Sequence, residues 1–102
     1  MGVNMAMVAI TFATSNPSNT IDLAINSLLQ NGPFSATTPF SAHFAPGTYG
    51  LQAQLHGAPG DSCTLTVLEA GAPASLLVIS NVNFIITPGN TSAVAFGNFT
   101  VV

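Results

Sequence analysis

The chain is built from short runs in which apolar and polar residues alternate, and most runs are closed by Pro and Gly. The clearest run sets Tyr49, Leu51, Ala53 and Leu55 against Gly50, Gln52, Gln54 and His56. A period of two belongs to a strand, whose successive side chains point to opposite faces. Pro46-Gly47 precedes this run and Ala58-Pro59-Gly60-Asp61 follows it, both in residues that turns use. Cys63, Leu65 and Val67 then alternate with Ser62, Thr64 and Thr66, while Phe40, Ala42 and Phe44 lead up to Pro46. After a break at Gly71-Ala72-Pro73, the apolar stretch from Leu76 to Thr87 reads as two strands interrupted near Asn81 and closed by Pro88-Gly89-Asn90. In the last run Val94 and Phe96 share a phase that Phe99 and Val101 reverse. An inserted residue would reconcile them, so a bulge is expected at Gly97-Asn98.

Two N-terminal segments read differently. Ala6, Val8, Ile10 and Phe12 alternate with Met7, Ala9, Thr11 and Ala13, a strand nearly apolar on both faces and therefore expected to be covered on each side. Residues 19–30 fit two patterns. Ile21, Ala24, Ile25, Leu28 and Leu29 form a helical stripe, with Asn19 or Thr20 as cap and Asn31-Gly32 as stop; Ile21, Leu23 and Ile25 also alternate as a strand. Asp22 would suit the positive end of a helix, and a short helix is the expectation.

Charge narrows the function classes. The 102 residues include no Lys and no Arg, and Asp22, Asp61 and Glu69 give a net charge of −3. Without a guanidinium or ammonium there is no strong side-chain grip on phosphate, no counterion-releasing contact with nucleic acid and no Schiff-base lysine. A polybasic anchor for anionic lipid is missing too. No apolar run reaches the ~18–20 residues of a membrane helix. At 48% apolar the chain has what it needs to build a core. Its surface is left to Ser, Thr, Asn, Gln and Ala, which carry little desolvation penalty on contact and favour permanent assembly. The stretch Met1 to Ile10 lacks the basic start of a secretory signal, so synthesis in the cytoplasm is expected. A lone Cys63 cannot close a disulfide within the chain.

Few residues offer chemistry. A hairpin through residues 58–60 would gather His56, Asp61 and Ser62 at its neck, but an exposed turn provides no oxyanion hole or dry pocket. The metal-ligating types are His43, His56, Cys63, Asp22, Asp61 and Glu69. In a hairpin about Pro46-Gly47 the two histidines would stand roughly 20 Å apart, too far to share an ion. Asp61 and Glu69 sit at opposite ends of one strand, which does not suit a glycosidase pair. Cys63 shares its phase with Leu65 and Val67 and reads as a small buried hydrophobe. Tyr49 reads as core with a hydroxyl in need of a partner, the phenylalanines as core or interface, and Thr64 with Thr66 as a short Thr row on a solvent face. No catalytic residue, cofactor site or metal site is expected.

About seven short strands with turns at this density point to one all-β domain over 1–102, an antiparallel β-sandwich with one short N-terminal helix and an apolar N-terminal strand or arm over about 3–13. Gly47-Thr48-Tyr49-Gly50-Leu51, Ser62 to Val67, Val82 to Ile86 and Ser92 to Phe96 together resemble the strand order of small jelly-roll sandwiches, among them carbohydrate-binding-like modules and tailed-phage capsid decoration (cement) proteins. The resemblance covers residues 40–102 and implies a jelly-roll-like fold. Pro46-Gly47-Thr48-Tyr49 is also similar to the tyrosine corner of immunoglobulin domains, the alternative fold, although Leu51 stands where those domains carry their second cysteine.

The expectation is a non-catalytic structural subunit of a large assembly, a bacteriophage decoration protein on the capsid exterior. Its partners would be the major capsid protein and copies of itself, as a trimer about a threefold axis, with no nucleic acid and no membrane. Val3, Met5, Met7, Val8, Ile10 and Phe12 are the expected interface residues. A carbohydrate-binding or adhesive module, located outside the cell, is the alternative.

Overall fold

The computed structural model describes residues 5–69, 77–78 and 82–101, with Glu69, Leu77 and Val78 described by their backbone alone. The strands are β1 (Ala6–Thr14), β2 (Thr20–Ile25), β3 (Leu28–Leu29), β4 (Phe40–Phe44), β5 (Gly47–His56), β6 (Ser62–Glu69), β7 (Leu77–Val78), β8 (Val82–Ile85) and β9 (Ser92–Val101). They form two antiparallel sheets, one ordered β4-β1-β6-β8 and the other β3-β2-β5-β9-β7. No helix occurs among the described residues. Val3, the Gly71-Ala72-Pro73 break and Asn81 lie outside them.

The alternating faces meet across a single core. Val8, Ile10 and Phe12 of β1 and Cys63, Leu65 and Val67 of β6 line the four-stranded sheet. Ile21, Leu23 and Ile25 of β2, Leu51, Ala53 and Leu55 of β5, and Phe99 and Val101 of β9 face them from the five-stranded sheet. Each large side chain buried this way stabilises the fold by about 1.5–3 kcal/mol. Aromatic rings run through the core from Phe12 to Phe34 (6.0 Å between centroids), Phe40 (5.7 Å) and Phe44 (6.3 Å). Phe44 ends against Tyr49 at 4.8 Å and Phe99 at 5.2 Å, which joins the two sheets. The Tyr49 hydroxyl donates to the Ala45 carbonyl at 2.7 Å, the partner its half-buried place in the core requires.

Four expectations are corrected. Residues 19–30 form no helix: Thr20 to Ile25 pair in register with His56 to Leu51 of β5. The strand buries Ile21, Leu23 and Ile25 together, whereas Leu28 and Leu29, which a helical stripe would have buried, are 70% and 73% exposed. Asn26 and Ser27, at φ 51° and 68°, form the two-residue turn into β3, a conformation that matches strand twist. Second, β9 has no bulge, because its pairing with β5 runs unbroken from Ser92–His56 to Val101–Gly47. The phase change is met instead by side-chain size. Ala93, Ala95 and Gly97 take the inward positions, and a Cβ on Gly97 would lie 2.6 Å from Val82 Cγ2 of the opposite sheet. Val94 and Phe96 therefore point outward. Third, β4 and β5, and likewise β5 and β6, belong to different sheets and make no hairpin. Fourth, among the described residues no second layer covers the outer face of β1, where Met7, Ala9 and Thr11 are half-buried and Ala13 is exposed.

Candidate functional site

His56, Asp61 and Ser62 do not assemble into one site. The strands that would have joined them at a hairpin neck lie in opposite sheets, and each residue is held by its own partner. His56 Nε2 meets Asp22 Oδ2 at 2.8 Å on the outer face of the five-stranded sheet, where both groups are almost half exposed. That contact is a diagonal cross-strand pair, since Thr20 stands opposite His56 and Asp22 opposite Gln54. Ser62 is held through its backbone N–H, which donates to Ser15 Oγ at 2.9 Å. His43 lies on the outer face of the other sheet, opposite Met7, so the two histidines are on opposite sides of the protein. No group of three metal-ligating side chains occurs among the described residues.

Asp61 instead anchors a structural node. Its Oδ2 accepts the Ala58 N–H at 3.0 Å and Asn19 Nδ2 at 2.8 Å. These donors favour the charged carboxylate and hold its pKa below the ordinary value, the Ala58 N–H being the larger cause and slight desolvation opposing it. Asn19, 1% exposed, also accepts the Asn16 N–H at 3.2 Å and donates to the His56 carbonyl at 3.4 Å. Backbone bonds of 2.8 Å from Gly60 N–H to the Ile86 carbonyl and from Ile86 N–H to the Asp61 carbonyl tie the turn to the end of β8. Gly57 fits beneath this node only because it lacks a Cβ, which would overlap Asn19 Nδ2 and stand 2.6 Å from Asp61 Oδ2. Cys63 is buried as expected, and loss of water pushes its thiol up to about 11.

The two outer faces differ in chemistry. On the four-stranded sheet, Met7, Ala9 and Thr11 lie beside Ser41 and His43 on one flank and Thr66 and Leu68 on the other. Beyond them come Thr64, Asn83 and Ile85. None of these side chains carries a formal charge with histidine neutral. Met5, Leu68 and Ile85 are 50%, 43% and 56% exposed there or at its end. Of the expected interface residues, Val8, Ile10 and Phe12 are taken up by the chain's own core, which leaves Met5 and Met7 able to meet another molecule.

The outer face of the five-stranded sheet carries the His56–Asp22 pair, exposed amides and one large ring. Phe96 is 72% exposed in mid-strand, with Gln52 opposite it and Ala24 beyond. Beside it lies a depression of about 350 Å³ lined by Asn26, Ser27, Gly50, Leu51, Gln52, Phe96 and Gly97. Asn26 is fixed there by its own backbone N–H, which donates to the Gly50 carbonyl at 2.9 Å, and by its Oδ1, which accepts the Gly50 N–H at 2.8 Å. Sequence reasoning placed all the phenylalanines in the core or an interface and so missed this depression. The signal that would have found it was the small inward row Ala93, Ala95, Gly97, whose phase puts Phe96 outside without any bulge. No family model, curated protein or solved structure matches the chain.

Proposed function

We propose that this chain is a non-catalytic structural subunit of a large protein assembly, most concretely a decoration protein of jelly-roll type on the exterior of a bacteriophage capsid, made in the host cytoplasm. Its partners are the major capsid protein and further copies of itself. The observation that supports this reading is the outer face of the four-stranded sheet, free of formal charge with His43 neutral and built from Ala, Thr, Ser, Met, Leu, Ile, Asn83 and His43. Covering such a face strips water from no ion, so the usual cost of burying charge does not arise. Small side chains also let a second sheet approach to the ~10 Å of face-to-face packing.

Light scattering on the purified protein, from micromolar down to nanomolar concentration, tests the reading. A trimer or larger species is expected, and Ala9→Lys, which sets a charge at the centre of the face, returns it to monomer with an unchanged urea midpoint. A wild-type monomer at every concentration, or an oligomer indifferent to Ala9→Lys, overturns it.

A further inference from the structure

We infer that the depression beside Phe96 is a binding site for a neutral polyhydroxylated ligand, one or two sugar rings of an uncharged glycan. The site lies on the opposite face from the proposed assembly surface and stands independently of it. Three features converge. Phe96 offers an aromatic face held on a strand that pairs with β5 along its whole length, and not on a loop. The face of an aromatic ring is its negative pole, and the C–H bonds of a sugar ring, polarised by their oxygens, pack against it. Gly50 occupies an outward position on β5, where the residue before the previous one, Thr48, and the residue two on, Gln52, both project side chains. A Cβ there would project into the depression and come no nearer than 3.8 Å to Asn26 Oδ1. The space is thus kept open by the absence of a side chain that the backbone could accept.

The polar complement is the third feature. Among the described residues Gln52 makes no side-chain hydrogen bond, and Asn26 uses its Oδ1 on Gly50 while both hydrogens of its Nδ2 meet no acceptor there. Two amides can therefore donate to, and Gln52 can accept from, vicinal hydroxyls. A concave surface with one apolar wall and a few fixed polar groups is how small-ligand sites are built. The charge pattern selects the class. No Lys or Arg exists in the chain to pair with a carboxylate, sulfate or phosphate, and Asp22, the acid on the same outer face, is engaged by His56. The ligand is therefore uncharged.

The test is an NMR titration of the ¹⁵N-labelled protein with cellohexaose, maltohexaose and chitohexaose, with sialyllactose as the charged comparison, each to about 10 mM, since shallow sites bind in the millimolar range. At least one neutral hexasaccharide should shift the amides of Asn26, Gly50, Gln52 and Phe96 in a saturable way, and sialyllactose should not. Phe96→Ala should weaken that binding by about tenfold or more through loss of the stacking face. Gly50→Thr, a favourable strand residue that fills the depression, should abolish it while leaving the urea midpoint in place. No shift with any neutral sugar, equal shifts with sialyllactose, or unaltered affinity in both variants overturns the proposal. So does a shift of the same amides on diluting the protein alone, which would assign the depression to a second copy of the chain.

Discussion

Phe96 and Phe99 are three residues apart on one strand, and the unbroken pairing of β9 assigns them opposite fates. Phe99 is 1% exposed and packs on Phe44 at 5.2 Å and stacks on Tyr49 at 5.1 Å, with rings 20° from parallel. Truncating it removes about 1.5–3 kcal/mol of transfer free energy, leaves a cavity, and forfeits two aromatic pairs worth about 0.5–1.5 kcal/mol each. These terms overlap, and Phe99→Ala should cost about 3–5 kcal/mol in all. Phe96, 72% exposed, has little burial to lose, so Phe96→Ala should cost about 0.5 kcal/mol. Equilibrium urea unfolding followed by far-UV circular dichroism separates the two. With a slope of about 1–2 kcal/mol per molar, Phe99→Ala lowers the midpoint by about 1.5–5 M and Phe96→Ala by about 0.5 M or less. Were β9 bulged at Gly97-Asn98, both rings would sit in the core and both truncations would be severe. A loss above about 2 kcal/mol for Phe96→Ala, or below about 1 kcal/mol for Phe99→Ala, refutes the register described here.

Three further outcomes follow from the Asp61 node and the core. Gly57→Ala should destabilise by about 1–3 kcal/mol, because the new methyl displaces Asn19 or Asp61 and disrupts their hydrogen bonds, and thermal melting should show it. Asp61 is held more acidic in the folded chain than in the unfolded one, so its contribution is complete above the unfolded carboxylate pKa of about 3.9 and disappears as pH falls through the lower folded value. Comparing wild type with Asp61→Asn between pH 7 and pH 2 should show a stability gap that closes in that acid window; a gap constant with pH would remove the assigned cause. Cys63, with its thiol pushed up to about 11 and its side chain 2% exposed, should resist iodoacetamide at pH 8 in the native protein and react promptly in urea, as read by mass spectrometry.

Strand identity was legible wherever the alternation was clean. The inward residues of β1, β5 and β6 are those the period of two selects, and the hydroxyl of Tyr49 found the partner its environment demanded. What misled was non-local. For residues 19–30 both periods fit, and the choice is made by β5, some thirty residues away, whose Gln54 and His56 give Asp22 a sheet surface to occupy. The assignment of strands to sheets was equally invisible. A Pro-Gly turn looks the same whether the chain returns beside itself or crosses to the opposite layer, and at Pro46-Gly47 and Pro59-Gly60 it crosses. The binding depression was illegible for a related reason. Its rim joins the β2–β3 turn to the middles of β5 and β9, three stretches brought together only by pairing.

The crossings between layers also bear on how the molecule comes to exist. Among the described strands only β2 and β3 pair across a two-residue turn, whereas β1 must wait for β4 and β6, and β5 for β9. Loop-closure entropy must be met before almost any of these contacts is gained, which places folding in the slow, millisecond-to-second range of β-sandwiches. During synthesis β1, nearly apolar on both faces, emerges before the strands it pairs with and lacks one of its two neighbours until Glu69 has left the ribosome. Lysine, the residue that most often guards a bare strand edge, is not in the chain to protect it. The interval before the sheets close, and not the finished structure, is where this protein is most exposed to aggregation, and low temperature and low expression rate are the conditions that shorten that risk.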